Sequence, residues 1–83
     1  MHRNSRFVEA YVELTAAANL GAFMRSIRSL NLEIESIQLE QESALEEGVR
    51  SYIMTLKSPG KQNHEELFRQ IRSVQGVAYL EGL

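Results

Sequence analysis

The stretch Phe7–Gln41, FVEAYVELTAAANLGAFMRSIRSLNLEIESIQLEQ, decides the fold, because a second version of it, VRSYIMTLKSPGKQNHEELFRQIRSVQGVAYLEGL, runs from Val49 to Leu83. Each copy reads strand, helix, strand. In the helices, Phe23–Leu30 (FMRSIRSL) answers Leu67–Val74 (LFRQIRSV) at a constant offset of 44. In the preceding strands Ala10, Val12 and Leu14 answer Tyr52, Met54 and Leu56 at an offset of 42. A doubled βαβ unit in so short a chain predicts a split βαββαβ sandwich.

The fold class that follows is α+β, a ferredoxin-like sandwich with a four-stranded antiparallel sheet in the order 4-1-3-2 and both helices on one face. Adjacent first and third strands follow from the repeated unit and the right-handed crossover. With 83 residues the chain forms one domain, 1–83. A domain of this size buries only about 60 to 65% of the surface of its unfolded chain, so its core has to be well patterned.

Working outward from the repeat, Met1–Arg6 is polar and basic and reads as a flexible N-terminal segment. The first strand, Phe7–Thr15, puts Val8, Ala10, Val12 and Leu14 on one face. Glu9 and Glu13 share the other with Phe7 and Tyr11. Ala16–Asn19 turns into the first helix with Asn19 as N-cap, and Leu20, Phe23, Ile27 and Leu30 form its buried stripe, Arg25, Arg28 and Ser29 pointing outward. Gly21, in the first turn, is placed there either for close approach of a backbone or ligand or for tight packing of the helix start on the sheet. The second strand, Leu32–Gln41, changes phase between Ile34 and Ile37, which predicts a bulge at Glu35 and Ser36 on an edge strand.

Glu42–Gly48 is an acidic hairpin loop. Val49–Leu56 is the third strand, with Tyr52, Met54 and Leu56 inward and Val49, Ile53 and Thr55 outward; Lys57–Lys61, with its Pro-Gly pair, ends it. Asn63 and Glu66 make a capping box, and Leu67, Phe68, Ile71 and Val74 the buried stripe of the second helix. Gly76 is expected at the C′ position of that helix, before a short last strand, Val77–Leu83.

No catalytic residue can be named. His64 is the only internal histidine and lacks a nucleophile or an orienting acid; the Glu46–Glu47 and Glu65–Glu66 pairs are sequence neighbours that point apart. No phosphate loop or dinucleotide fingerprint is present. The chain contains no cysteine, which excludes disulfides, thiolate metal sites and cysteine nucleophiles. No metal site or cofactor is expected, since the loop glutamates have no fixed spacing. A net charge of −2 and a pI of 5.6 argue against nucleic acid as partner. So does the absence of paired exposed aromatics in VRSYIMTL, on which bases would stack. The apolar runs fall short of the roughly 20 residues that span a bilayer, and no signal-peptide pattern opens the chain.

From Leu14 to Ile37, a turn, Gly21, a helix and the strand LNLEIESI, the sequence resembles the small-ligand-sensing ACT domain. In that family the turn holding an amino-acid ligand often reads Asp-x-Pro-Gly; here it reads Ala17, Ala18, Asn19, Leu20, Gly21. The second half, NHEELFRQIRSVQGVAYLEGL after a basic Pro-Gly turn, resembles the C-terminal end of the MgtC/SapB family of bacterial inner-membrane proteins, whose soluble tail is ACT-like. That resemblance implies a cytoplasmic C-terminal domain linked to magnesium limitation, attached to the membrane only through segments outside this chain. Arg3 and Arg6, ahead of any acid, suit the cytoplasmic flank of a membrane helix.

The expected role is a non-enzymatic regulatory or interaction domain. Two working surfaces stand open: a ligand-binding turn at Asn19, Leu20 and Gly21, as in a free-standing ACT-like sensor of amino acids or other small molecules, or an interaction surface at Phe7, Tyr11 and Ile53 that serves a homodimer or another protein.

Overall fold

The computed structural model describes residues 6–42, 48–60 and 63–83. Its elements in chain order are β1 (Phe7–Leu14), α1 (Leu20–Ser29), β2 (Glu33–Glu42), β3 (Arg50–Lys57), α2 (His64–Arg72) and β4 (Val77–Gly82). β1 pairs antiparallel with β3 and β4, and β2 with β3, so the sheet runs β2-β3-β1-β4. This is the expected 4-1-3-2 order read from the other edge, a ferredoxin-like arrangement.

The alternation in β1 decides which face is inner. Val8, Ala10 and Val12 sit directly across from Leu56, Met54 and Tyr52, and opposed residues in an antiparallel pair share a face. All six are buried, and Phe23 and Ile27 of α1 join Leu67 and Ile71 of α2 in the same core cluster. Both helices therefore cover this one face. Full burial of a side chain such as Ile27 or Ile71 stabilises the fold by about 1.5 to 3 kcal/mol.

The internal repeat extends to the helix ends. Asn19 Oδ1 accepts from the Ala22 amide at 3.2 Å, and Asn63 Oδ1 from the Glu66 amide at 3.1 Å. Near the other end the Ser29 and Ser73 hydroxyls donate to the Ser26 and Gln70 carbonyls, each at 2.7 Å. Leu20, Leu30, Phe68 and Val74, at the margins of the stripes, are partly buried against the core. The capping box at α2 is one-sided, because Glu66 turns its carboxylate to Arg69 and Gln70.

In β2 the expected bulge is present. Ile34 pairs with Leu56 and Ser36 with Thr55, which leaves Glu35 as the extra residue. A second shift, between Leu39 and Gln41, was not anticipated. Leu39 opposes Tyr52 on the inner face but is 49% exposed, beyond the cover of the helices.

Three further expectations need revision or restriction. Val49, expected outward, is buried; it precedes β3, so the pleat does not set its direction. Gly76 is not the C′ residue of α2, whose end is closed by Ser73. It lies in the turn into β4 at φ 95°, where its carbonyl accepts from the Thr15 amide at 2.9 Å and a Cβ would come within 2.5 Å of the Ala18 Cβ. Arg6, placed in the flexible N-terminal segment, is tied to the turn after β3, its carbonyl accepting from the Ser58 amide at 2.9 Å; residues 1–5, most of the acidic loop (43–47) and residues 61–62 lie outside the described residues.

Candidate functional site

The turn between β1 and α1 borders a cleft of about 390 Å³ lined by Thr15, Ala18, Asn19, Phe23, Ser26 and Gly76 among others. Of the three residues expected to bind a ligand, Asn19 alone lines it. Leu20 packs against the core, and Gly21 is exposed. A Cβ at Gly21 would meet Asn19 Oδ1 at 3.1 Å and Arg25 at 3.8 Å, so no sheet backbone approaches it and tight packing on the sheet is not its reason. The Asn19 side chain is engaged in capping, and α1 has no acid in its first turn.

The face of the sheet away from the helices is built by the odd positions of β1. Tyr11 lies directly across from Ile53 on β3, which in turn faces Gln38 on β2. Phe7, near the start of the same strand, is 50% exposed and carries Lys57 Nζ 5.8 Å from its ring centroid. The structure thus brings Tyr11 and Ile53 together, with Phe7 further along the same face.

Sequence reasoning missed the other half of this surface. Tyr79 on β4 is 46% exposed and meets Tyr11 edge to face, with centroids 6.0 Å apart and an interplanar angle of 66°. The Tyr11 hydroxyl donates to Glu13 Oε2 at 2.6 Å and the Tyr79 hydroxyl to Glu81 Oε1 at 2.9 Å. In the β1–β4 ladder Tyr11 opposes Glu81 and Glu13 opposes Tyr79, so two phenols and two carboxylates alternate in a square. The signal available in the sequence was the Tyr-x-Glu spacing, present in Tyr11–Glu13 and again in Tyr79–Glu81. On an antiparallel pair it generates this square once the register is known.

The electrostatics follow from these contacts. The hydrogen bond to Glu13 raises the Tyr11 pKa above its usual 10, desolvation adds to it, buried Ser51 acts in the opposite sense, and the charge of Glu40 pushes the same way as Glu13. Tyr79 is raised chiefly by its bond to Glu81 and by that carboxylate's charge. Both phenols are therefore neutral donors at physiological pH, which suits holding carboxylates and disfavours nucleophilic or basic chemistry.

A larger open groove, about 680 Å³, lies between α2 and the end of β4, lined by Asn63, Glu65, Glu66, Phe68, Arg69, Arg72 and Gly82. Its charges are in part mutually engaged, Glu66 with Arg69, while Arg72 donates to the Leu80 carbonyl at 3.3 Å and so occupies an edge acceptor of β4. His64 stands with its ring centroid 6.2 Å from that of Phe68. Among the described residues no three His, Cys, Asp or Glu side chains are grouped to hold a metal ion, and no helix is long and apolar enough to cross a membrane. Compared with known proteins, the chain matches no protein-family model and no curated protein.

Proposed function

We propose that this chain is a non-enzymatic regulatory or interaction domain that works through the sheet face its helices leave uncovered. The observation that carries the reading is the cluster of Tyr11, Ile53 and Tyr79, flanked by Phe7, on the side of the sheet opposite the core. Aromatics grouped on one face, here exposed Phe7 and Tyr79 beside half-buried Tyr11, are a feature of interaction surfaces rather than of a solvated sheet. As context we propose the cytoplasmic C-terminal tail of a bacterial inner-membrane protein similar to the MgtC/SapB family and linked to magnesium limitation. What supports this is the resemblance of Asn63–Leu83 and the basic flank at Arg3 and Arg6.

The cleft at Asn19 favours a second reading, an ACT-like sensor of amino acids or another small ligand. Calorimetric titration with amino acids and divalent cations, beside sedimentation, separates the two. Silent titrations together with association that Tyr79→Ala weakens support the interaction surface. Saturable binding of an amino acid that Ser26→Trp abolishes, by filling the cleft, replaces it with the sensor.

A further inference from the structure

We infer that the uncovered face takes an arginine-bearing basic segment of another protein, seated on the Tyr11–Tyr79 pair and held by Glu13 and Glu81. This inference rests on the proposal that this face is the working surface, and it adds the chemistry of the partner. Charge is the first argument. Register places Glu9, Glu13, Glu33 and Glu81 on this face with Phe7, Tyr11 and Ile53, and Lys57 is the cation it adds, while Arg6 lines a cleft with Glu33 and Lys57 at the far end from the tyrosine pair. Two copies pressed face to face would set these carboxylates against each other, whereas a basic segment complements them.

The square of side chains supplies the second argument. A guanidinium stacks on an aromatic ring and forms paired hydrogen bonds with a carboxylate, and here both groups alternate at neighbouring positions. Each phenol fixes one carboxylate oxygen, Glu13 Oε2 or Glu81 Oε1, and so orients the carboxylate. The remaining lone pairs of each carboxylate stay available to a second donor. Lys57 above the Phe7 ring shows that this face already accommodates a cation on an aromatic. Arginine is favoured over lysine because only its planar fork can stack and bind bidentately together.

The test is an amide-resolved NMR titration of the isotopically labelled chain with blocked hexa-arginine, hexa-lysine and hexa-glutamate peptides, run beside sedimentation of the chain alone. Hexa-arginine is expected to shift the resonances of Tyr11, Glu13, Ile53, Tyr79 and Glu81, to bind severalfold tighter than hexa-lysine, and to lose about tenfold in affinity in Tyr79→Ala. Tyr79 is exposed on an edge strand, and Glu81→Gln provides a second variant of the same shape that should also weaken binding. Equal binding of the two basic peptides, shifts centred on Glu65 and Glu66, or indifference to both substitutions would overturn the inference. Self-association mapping to this face without arginine preference would overturn it while keeping the parent proposal; silence in both measurements would overturn the inference alone, the parent proposal then standing or falling on whether this face crosslinks a partner.

Discussion

Tyr11 and Tyr79 meet edge to face across the β1–β4 ladder, each with its hydroxyl on the glutamate two residues further along its own strand. The arrangement makes loss of either phenolic proton unfavourable, because the phenolate would face a carboxylate. Below pH 10, the ordinary tyrosine value, both phenols are protonated in the folded and unfolded chain alike, and their contribution to stability is complete. As pH rises through the higher folded-state values, the unfolded chain has already released protons that the folded chain retains, and that contribution is lost. Denaturant titrations across the alkaline range should show stability falling there, and Tyr11→Phe should flatten the fall. An NMR titration that resolves the rings of Tyr11 and Tyr79 should show both ionising late; ionisation of either below the ordinary value would contradict the square.

The two halves of the repeat should respond alike to core truncation. Ile27 and Ile71 occupy equivalent positions, and both are 0% exposed. Ile27→Ala and Ile71→Ala are each expected to cost about 2 to 5 kcal/mol in chemical denaturation, through lost burial and the cavity left behind. A cost below 1 kcal/mol at either site, on the order of an exposed substitution, would place that helix off the sheet.

Gly76 should tolerate no side chain. Its φ of 95° is disfavoured for other residues, and a Cβ would collide with that of Ala18 at 2.5 Å. Gly76→Ala is expected to destabilise by about 1 to 3 kcal/mol. Ala18→Gly in the same background should recover only the steric part, since the backbone strain remains. A neutral Gly76→Ala in thermal denaturation would refute the turn geometry.

Magnesium should bind weakly. The ion demands octahedral oxygen ligation from well-placed carboxylates and keeps several of its waters. Among the described residues no such grouping exists, and the remaining glutamates of the acidic loop are sequence neighbours. Calorimetry is expected to find no site tighter than the millimolar range, about −4 kcal/mol of binding. A stoichiometric micromolar isotherm would contradict this.

The sandwich was legible because its signals are local and repeated. Alternation in β1, the 3.6-residue stripes of both helices and the phase change before Ile37 each have one structural solution, and the core and first bulge follow from them. The second shift near Glu40 was not legible, since the strand residues after Leu39 are polar and carry no apolar phase that would reveal a change. Gly76 was misplaced because a glycine after a helix ordinarily reads as C′, and nothing local reveals the approach of Ala18. The surface was half legible. Phe7 and Tyr11 could be placed on one face from β1 alone, but Tyr79 joins them only through the β1–β4 register, a long-range pairing. In the short strand VAYLEG the burial pattern gives no clean alternation from which to place it.

The most direct test of the central claim is site-specific photo-crosslinking of the chain in the cells it comes from. A photoreactive residue replaces Gln38, exposed beside Ile53 on the uncovered face, or Arg28, exposed on α1. The account predicts a discrete adduct from position 38 that Tyr79→Ala diminishes, and none from position 28. An adduct from position 28 alone, or none from either position, would contradict it.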